Sequence, residues 1–592
     1  MAEEELQAII QRCQILDEED FKGEDFNLFQ VAGQKCLDEG YIAKILEVVQ
    51  NEKNAAIVKN MGWNLTGPLI RCMLKHEQDE VKRKQGMKIV DKLVELCSPK
   101  ELVLGLLEQI EQASVEQACP TILLLLEPLQ EVLLKLEKKK AYSVGLALST
   151  ILNQLSLLPV PYTKQQLEED KHGLCQCCTA LPCFVRPFVD DVVEHTADSS
   201  DKDCKDLKEE LLAFCLKSMK YPLLLAELDP LPEGTAVHPL RQFAADILDI
   251  LQELRELLPK VFSQHRCRIE NSDDEDLMEI ASDQHADSLA CLSYMVFVQD
   301  SFGIDCFPVV FSPSYILQSN MVHVRVLLKR QEEPVLSKGL TLLENCLLRL
   351  QNNSLLIEFL DFKIFIATSE DLVKVATMCP FEPLRKKSLN TLQLCIDKFE
   401  EEGKYILFRC LLQRSNHSGV EGYIIQNIKN QIDLSLRNPE DSKFFTGYSL
   451  VKLLDIALSL PDGATTDLLQ NSDRIMASLN LLRYLFIKDN EEENRTCVWS
   501  ELHKIRQTFL KPLHIGLCMS RAHYKAEIKN KKENKGESHT SKKMPSVTIA
   551  GKKVSKMTSH MELHVLQSAL VTFDLMESIL ARVEELTDTT CY

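Results

Sequence analysis

The sequence predicts an all-α fold built as a stack of helical hairpins, and three observations carry that expectation. Aromatic residues make up 6% of the 592 positions and glycine only 20 of them, a composition suited to long helices rather than turn-rich sheet. Apolar residues recur at steps of three and four through most of the chain, the spacing of a helix with one buried stripe. The stretch from Pro334 to Leu347 returns 49 residues later as Pro383 to Ile396. Pro334, Val335, Lys338, Leu340, Leu343, Cys346 and Leu347 match Pro383, Leu384, Lys387, Leu389, Leu392, Cys395 and Ile396. Proline suits the first turn of a helix, where its missing N–H costs nothing, and the leucines form the stripe behind it. Helix-pair repeats of about 40 to 47 residues mark HEAT and armadillo solenoids, whose units cannot bury an apolar face alone. The fold class expected is therefore a HEAT/armadillo-like helical-repeat solenoid in two sections, against the alternative of a chance match inside an ordinary helical domain.

In chain order, the opening MAEEELQAII has three glutamates and no basic lead, so it reads as an amphipathic helix (Glu3 to Leu16) rather than a secretory signal. Helices follow at Phe26 to Glu39, Lys82 to Cys97, Lys100 to Glu111 and Ile122 to Lys138, with Ser98 and Pro99 breaking the second of these from the third. The prolines of Leu155 to Tyr162 predict an extended connector. An N-terminal repeat section is expected over 1–262, with a loop near 196–208, then an acidic linker at 263–289. Repeats of a C-terminal section are expected over 290–592. There Ser369, Glu370 and Asp371 read as the start of a helix over Leu372 to Met378, and Ser472 with Asp473 as the start of Ile475 to Ile487. Lys525 to Lys556 carries ten lysines against three glutamates, so 525–558 reads as a basic disordered insertion before a terminal helix at 561–586.

Composition excludes several functions. A formal net charge of −20 argues against chain-wide nucleic-acid binding, which needs clustered Lys and Arg, and against attachment to anionic lipid. There is no apolar run of 18 residues, so membrane insertion is not expected. Alanine follows Met1 and Cys591 is next to last, so neither myristoylation nor prenylation is encoded. The 21 cysteines are odd in number and scattered through helices, as free thiols in a core are, which points to the cytoplasm with the nucleus open.

Chemistry-bearing motifs are few. Cys175 and Cys178 form a C-x-x-C beside Cys177, Cys183 and His172, but zinc sites draw a second ligand pair from elsewhere and none is spaced for it. His560 and His564 lie four apart, yet Met561 occupies the place of a metalloprotease glutamate. The stretch GKKVS at Gly551 has only the tail of a phosphate loop. No metal, cofactor or catalytic residue is assigned, and the chain is expected not to be an enzyme. Ser272, followed by Asp273, Asp274, Glu275 and Asp276, is a candidate site for an acidophilic kinase; a solvated acidic run is the alternative.

Six strings resemble one family: MGWNLTGPLIRC (Met61 to Cys72), AYSVGLALSTILNQLSLLPVPY (Ala141 to Tyr162), GLCQCC (Gly173 to Cys178), SNHSGVEGYIIQNIKNQID (Ser415 to Asp433), LLQNSDRIMASLNLLRYL (Leu468 to Leu485) and FLKPLHIGL (Phe509 to Leu517). They span most of the chain and are similar to the glomulin family. That resemblance implies a HEAT-like repeat protein that binds the RING domain of the RING-box subunit of cullin-RING ubiquitin ligases. Its C-terminal repeats would cover the docking surface of the ubiquitin-conjugating enzyme and so inhibit ubiquitin transfer. It also implies links to an FK506-binding immunophilin, a hepatocyte growth factor receptor and vascular development. The competing expectation is a helical-repeat adaptor or transport scaffold binding a peptide-like cargo or a signalling receptor. From residue type alone, the contact candidates are Arg414, Tyr423, Arg474, Arg483, His514, Arg521 and Tyr524, since arginine and aromatic side chains anchor interfaces.

Overall fold

A computed structural model describes residues 2–16, 21–76, 79–136, 139–195, 202–229, 238–254, 285–298, 312–437, 443–533, 548–549, 552–553 and 559–588. The described residues are helical almost throughout, and the helical-repeat solenoid is the fold observed. The one sheet among them is a two-residue antiparallel ladder, Thr548 opposite Lys553 and Ile549 opposite Lys552.

Two compact units divide the chain. The first comprises 1–310 with Glu332–Gly339, and the second Phe311–Gln331 with Leu340–Tyr592. In the first unit, Ala2–Cys13 packs on Gly23–Asp38, Ile42–Gln50 on Glu80–Leu96, and Pro99–Glu111 on Ala118–Leu134. Farther along, Lys140–Leu155 packs on Lys202–Ser218, and Leu174–His195 on both Ala118–Leu134 and Pro239–Glu253. Each helix thus covers its stripe with a neighbour near in sequence, which is how a repeat stack grows. Local signals set the helix ends: Asp79 caps Glu80–Leu96 by accepting from the Lys82 amide at 3.2 Å. Pro99 opens its helix.

The matched segments occupy the helices Glu333–Leu348 and Glu382–Lys398, with Pro334 and Pro383 each the second residue. Val335 and Leu384, Leu343 and Leu392, Cys346 and Cys395, and Leu347 and Ile396 are buried in both copies. The copies part at the basic position. Lys338 is buried, its amine donating to the Ala226 carbonyl and lying 5.6 Å from the centre of the Tyr294 ring. Burial pushes that amine below its ordinary range. Lys387 is only half-buried and reaches back to Thr341 Oγ1 at 2.5 Å and Glu344 at 3.7 Å.

Several expectations need correction. Ala286–Val298, placed by the sequence reading at the linker's end and the head of the C-terminal section, belongs to the first compact unit. The loop expected near 196–208 is helical from Lys202, because Leu207, Leu211, Phe214 and Cys215 supply a stripe. Residues 525–533 of the expected disordered insertion extend the helix Lys511–Glu533. The helix expected to start at Leu372 begins nine residues earlier, as Lys363–Met378. Ser272 lies outside the described residues.

In the second unit, Pro313–Leu328 packs on Lys363–Met378, which pairs with Glu382–Lys398. Glu401–Arg414 meets Ser418–Arg437 and Gly447–Ala457. Ser418–Arg437 then packs on Ser472–Lys488, that helix on Ser559–Asp588, and Ser559–Asp588 on Lys511–Glu533. The terminal helix closes the unit with Leu566, Ala569, Phe573, Met576, Leu580, Val583 and Thr587, all buried at alternating steps of three and four. Its span Met561–Asp588, 28 residues with an 18-residue window of mean hydropathy 1.2, is long and apolar enough to cross a membrane by length and composition. Here that stripe is covered by protein.

Candidate functional site

The residues picked by type sort into three environments. Arg474, in Ser472–Lys488, is interior, so the structure corrects its reading as a polar-face anchor. Its side chain is 10% exposed, and Nη1 lies 3.1 Å from Glu421 Oε2, itself 5% exposed. Nη2 donates to the Ile456 carbonyl at 2.8 Å and to Ser459 Oγ at 2.7 Å. The guanidinium thus joins Ser418–Arg437 to the C-terminal end of Gly447–Ala457, whose last carbonyls lack helical partners. The contact is close because residue 422 is glycine: a β-carbon there would lie 2.9 Å from the Asp473 carbonyl oxygen. Gly422→Ala must move backbone, so a loss of about 1–3 kcal/mol is expected in urea denaturation.

Tyr423, Arg521 and Tyr524 are half-buried and engaged within the unit. The Tyr423 hydroxyl donates to Gln393 Oε1. Arg521 joins the last two helices through Asp574 at 2.6 Å and through Glu577. The Tyr524 ring meets Phe573 edge-on, centroids 5.4 Å apart. Arg483, His514 and Arg414 are exposed. Sequence reasoning missed their apolar company: Ile487 on the helix of Arg483, and Ile515 and Met519 on that of His514, are more than half exposed. The signal was present as apolar residues one step off the buried stripe, such as Ile515 and Met519, four apart.

Arg414 pairs with Glu370 at 2.7 Å and lines a groove of about 570 Å³ with Lys374, Met378, Leu411 and His417. Of the groove's lining the sequence marks only Arg414 as a contact candidate, while Glu370 reads there as part of a helix start. A second cavity, of about 400 Å³ in the first unit, is lined by Arg83, Cys119, Asp170 and His172 among others.

At the cysteine cluster, Cys175, Cys177 and Cys178 are buried while Cys183 is exposed. Burial and the Asp170 carboxylate push the Cys175 thiol up to about 12. A hydrogen bond to Cys119 and burial raise Cys177, and burial raises Cys178. Thiols held in this protonated state are poor nucleophiles and poor metal ligands. Among the described residues no group of three or more His, Cys, Asp or Glu is placed to hold a metal ion.

Residues 1–569 match the profile of a family described as an uncharacterised protein family, YAP/Alf4/glomulin. The chain is similar to glomulin of Homo sapiens, 56% identical over 586 residues that cover 99% of this chain and 97% of that protein. It is similar also to glomulin of Mus musculus, 55% identical over the same shares of both chains.

Proposed function

Because the chain belongs to the YAP/Alf4/glomulin family, we propose that it is an interaction protein that binds the RING domain of the RING-box subunit of cullin-RING ubiquitin ligases. In this reading its C-terminal unit masks the surface where the ubiquitin-conjugating enzyme docks, and ubiquitin transfer stops. The observation that carries the reading is the similarity to glomulin along 99% of the chain. The second unit supports it with exposed Arg483 and His514 on helices that also expose Ile487, Ile515 and Met519. Charged and apolar anchors of this kind, in a contact of about 1,200–2,000 Å² in total, are enough for competitive masking. No catalytic residue is needed. An FK506-binding immunophilin and a hepatocyte growth factor receptor enter as further protein partners, and the setting is the cytoplasm and nucleus.

The test is a purified cullin-RING ligase given the full chain at stoichiometric concentration. Ubiquitin chain synthesis should cease, and excess conjugating enzyme should restore it. Arg483→Glu combined with His514→Glu should weaken inhibition about tenfold or more, the equivalent of about 1.4 kcal/mol, at an unchanged melting temperature. A chain that binds the RING-box subunit yet leaves synthesis untouched would show that masking is wrong.

A further inference from the structure

Glu370, Lys374 and Met378 follow one another at steps of four along Lys363–Met378, so they share one face. The end of Glu401–Arg414 brings Leu411 and Arg414 beside them, and the segment 415–417 closes one side of the groove. At about 570 Å³ the space falls within the range of about 300–1,000 Å³ usual for ligand sites. Met378 is 80% exposed, an unusual state for a large apolar side chain at a concave surface, and Leu411 lies buried behind it. The region therefore has an apolar seat as well as charge.

That charge is positive in a chain of net charge −20. Arg414 meets Glu370 at 2.7 Å, with the arginine side chain 58% exposed. Asp371 is shared between Arg325 at 3.0 Å and Lys374 at 3.3 Å, and Lys374 is 68% exposed. Lys329, exposed at the end of the neighbouring helix, feels the same field: burial, then Arg325 and Lys374, push its amine below the ordinary range. In the groove itself Lys374 and Arg414 thus stand against Glu370, with His417 on the rim, and Lys329 lies outside the lining, close enough for Lys374 to act on its amine. Lys374 and Arg414, whose side chains are 68% and 58% exposed, can turn from their pairs at little cost and be shared with an incoming carboxylate, while Arg325 and Asp371, 17% and 5% exposed, stay paired.

We propose that this groove docks an extended acidic segment of a partner protein, one apolar side chain seated on Met378 and Leu411 and flanking carboxylates paired with Lys374, Arg414 and Lys329. A simple inorganic anion fits less well. The nearby N-terminus of Ser418–Arg437 already faces a carboxylate, Asp473 Oδ2 lying 3.3 Å from where a Gly419 β-carbon would stand. An apolar floor also offers phosphate nothing. The inference does not depend on the RING-binding reading.

The experiment is fluorescence anisotropy with the full chain and a dye-labelled octapeptide of glutamates interrupted by two leucines. Saturable binding is expected. Lys374→Glu with Arg414→Glu should weaken it at least about tenfold, as should Met378→Asp alone. Lys386→Glu, an exposed charge outside the groove, should leave it unchanged, and thermal melting should be the same for all four proteins. A peptide with glutamine in place of glutamate should not bind. Absence of binding to the wild-type chain would overturn the proposal. So would equal binding to the doubly reversed variant, equal binding of a leucine-free acidic peptide, or displacement by millimolar inorganic phosphate.

Discussion

Replacing Arg474 with alanine is expected to destabilise the second unit by about 3–5 kcal/mol, the usual loss when one partner of a buried ion pair is removed. The size follows from what is left behind. Glu421 would keep its carboxylate 5% exposed with its cation gone, and the Ile456 carbonyl and Ser459 hydroxyl would lose their donor. At about 2–4 °C per kcal/mol for a domain of this size, the melting temperature should fall by roughly 6–20 °C. Arg474→Lys should lie between, because an ammonium cannot serve Glu421 and Ile456 through two nitrogens of one planar fork. A double-mutant cycle with Glu421→Ala should show coupling, the double change costing less than the sum of the single ones. The assignment fails if Arg474→Ala melts like the parent while losing a partner, since that is how an exposed contact residue behaves.

Arg474 also shows where reading by residue type stops. Its principal acid lies 53 positions away, and only packing of Ser418–Arg437 against Ser472–Lys488 brings the two together. Local sequence describes a helix and an arginine on it; which face meets the neighbour is a tertiary fact. The same holds for Arg521 and Tyr524, whose partners Asp574, Glu577 and Phe573 sit on the terminal helix. Arg483 and His514 are exposed, as polar-face residues are.

The fold was more legible because its signals are local and repeated. The proline and leucine pattern at 334 and 383 marks two helices in the same frame, down to the paired Cys346 and Cys395. Errors arose where one local signal has two structural meanings. Ser369 looks like an N-cap, yet its hydroxyl donates to the Phe365 carbonyl at 3.0 Å, as Thr368 does to Ile364 at 2.7 Å. Such bonding four residues back satisfies a buried hydroxyl inside a helix and leaves the same letters in the sequence. Charge-rich composition is ambiguous in a similar way at 202–208 and 525–533, since lysine, with Leu207 in the first stretch and Ala526 and Glu527 in the second, is a good helix former and no glycine or proline interrupts either stretch.

Met576→Asp should have the other large effect, a loss of about 4–5 kcal/mol or more and with it a second unit that no longer folds cooperatively. Met576 is 0% exposed at the centre of the stripe from Leu566 to Thr587, so a carboxylate there has neither water nor a cation among its neighbours on that stripe. Leu575, the preceding residue, is 54% exposed. Leu575→Asp should therefore change stability by no more than about 0.5 kcal/mol. The contrast separates two states of the terminal helix that length and hydropathy leave equal. A helix surrounded by lipid would penalise aspartate at both positions, whereas one packed as the closing element of a repeat stack penalises it only at the inward one. Urea denaturation of the two variants decides between these, and a comparable loss at both would show that the helix is not held by Ser472–Lys488 and Lys511–Glu533. If the packed state holds, Met576→Asp should also abolish inhibition of ubiquitin transfer through the loss of the folded unit, while Leu575→Asp keeps the fold and isolates any contribution of that outer face to docking.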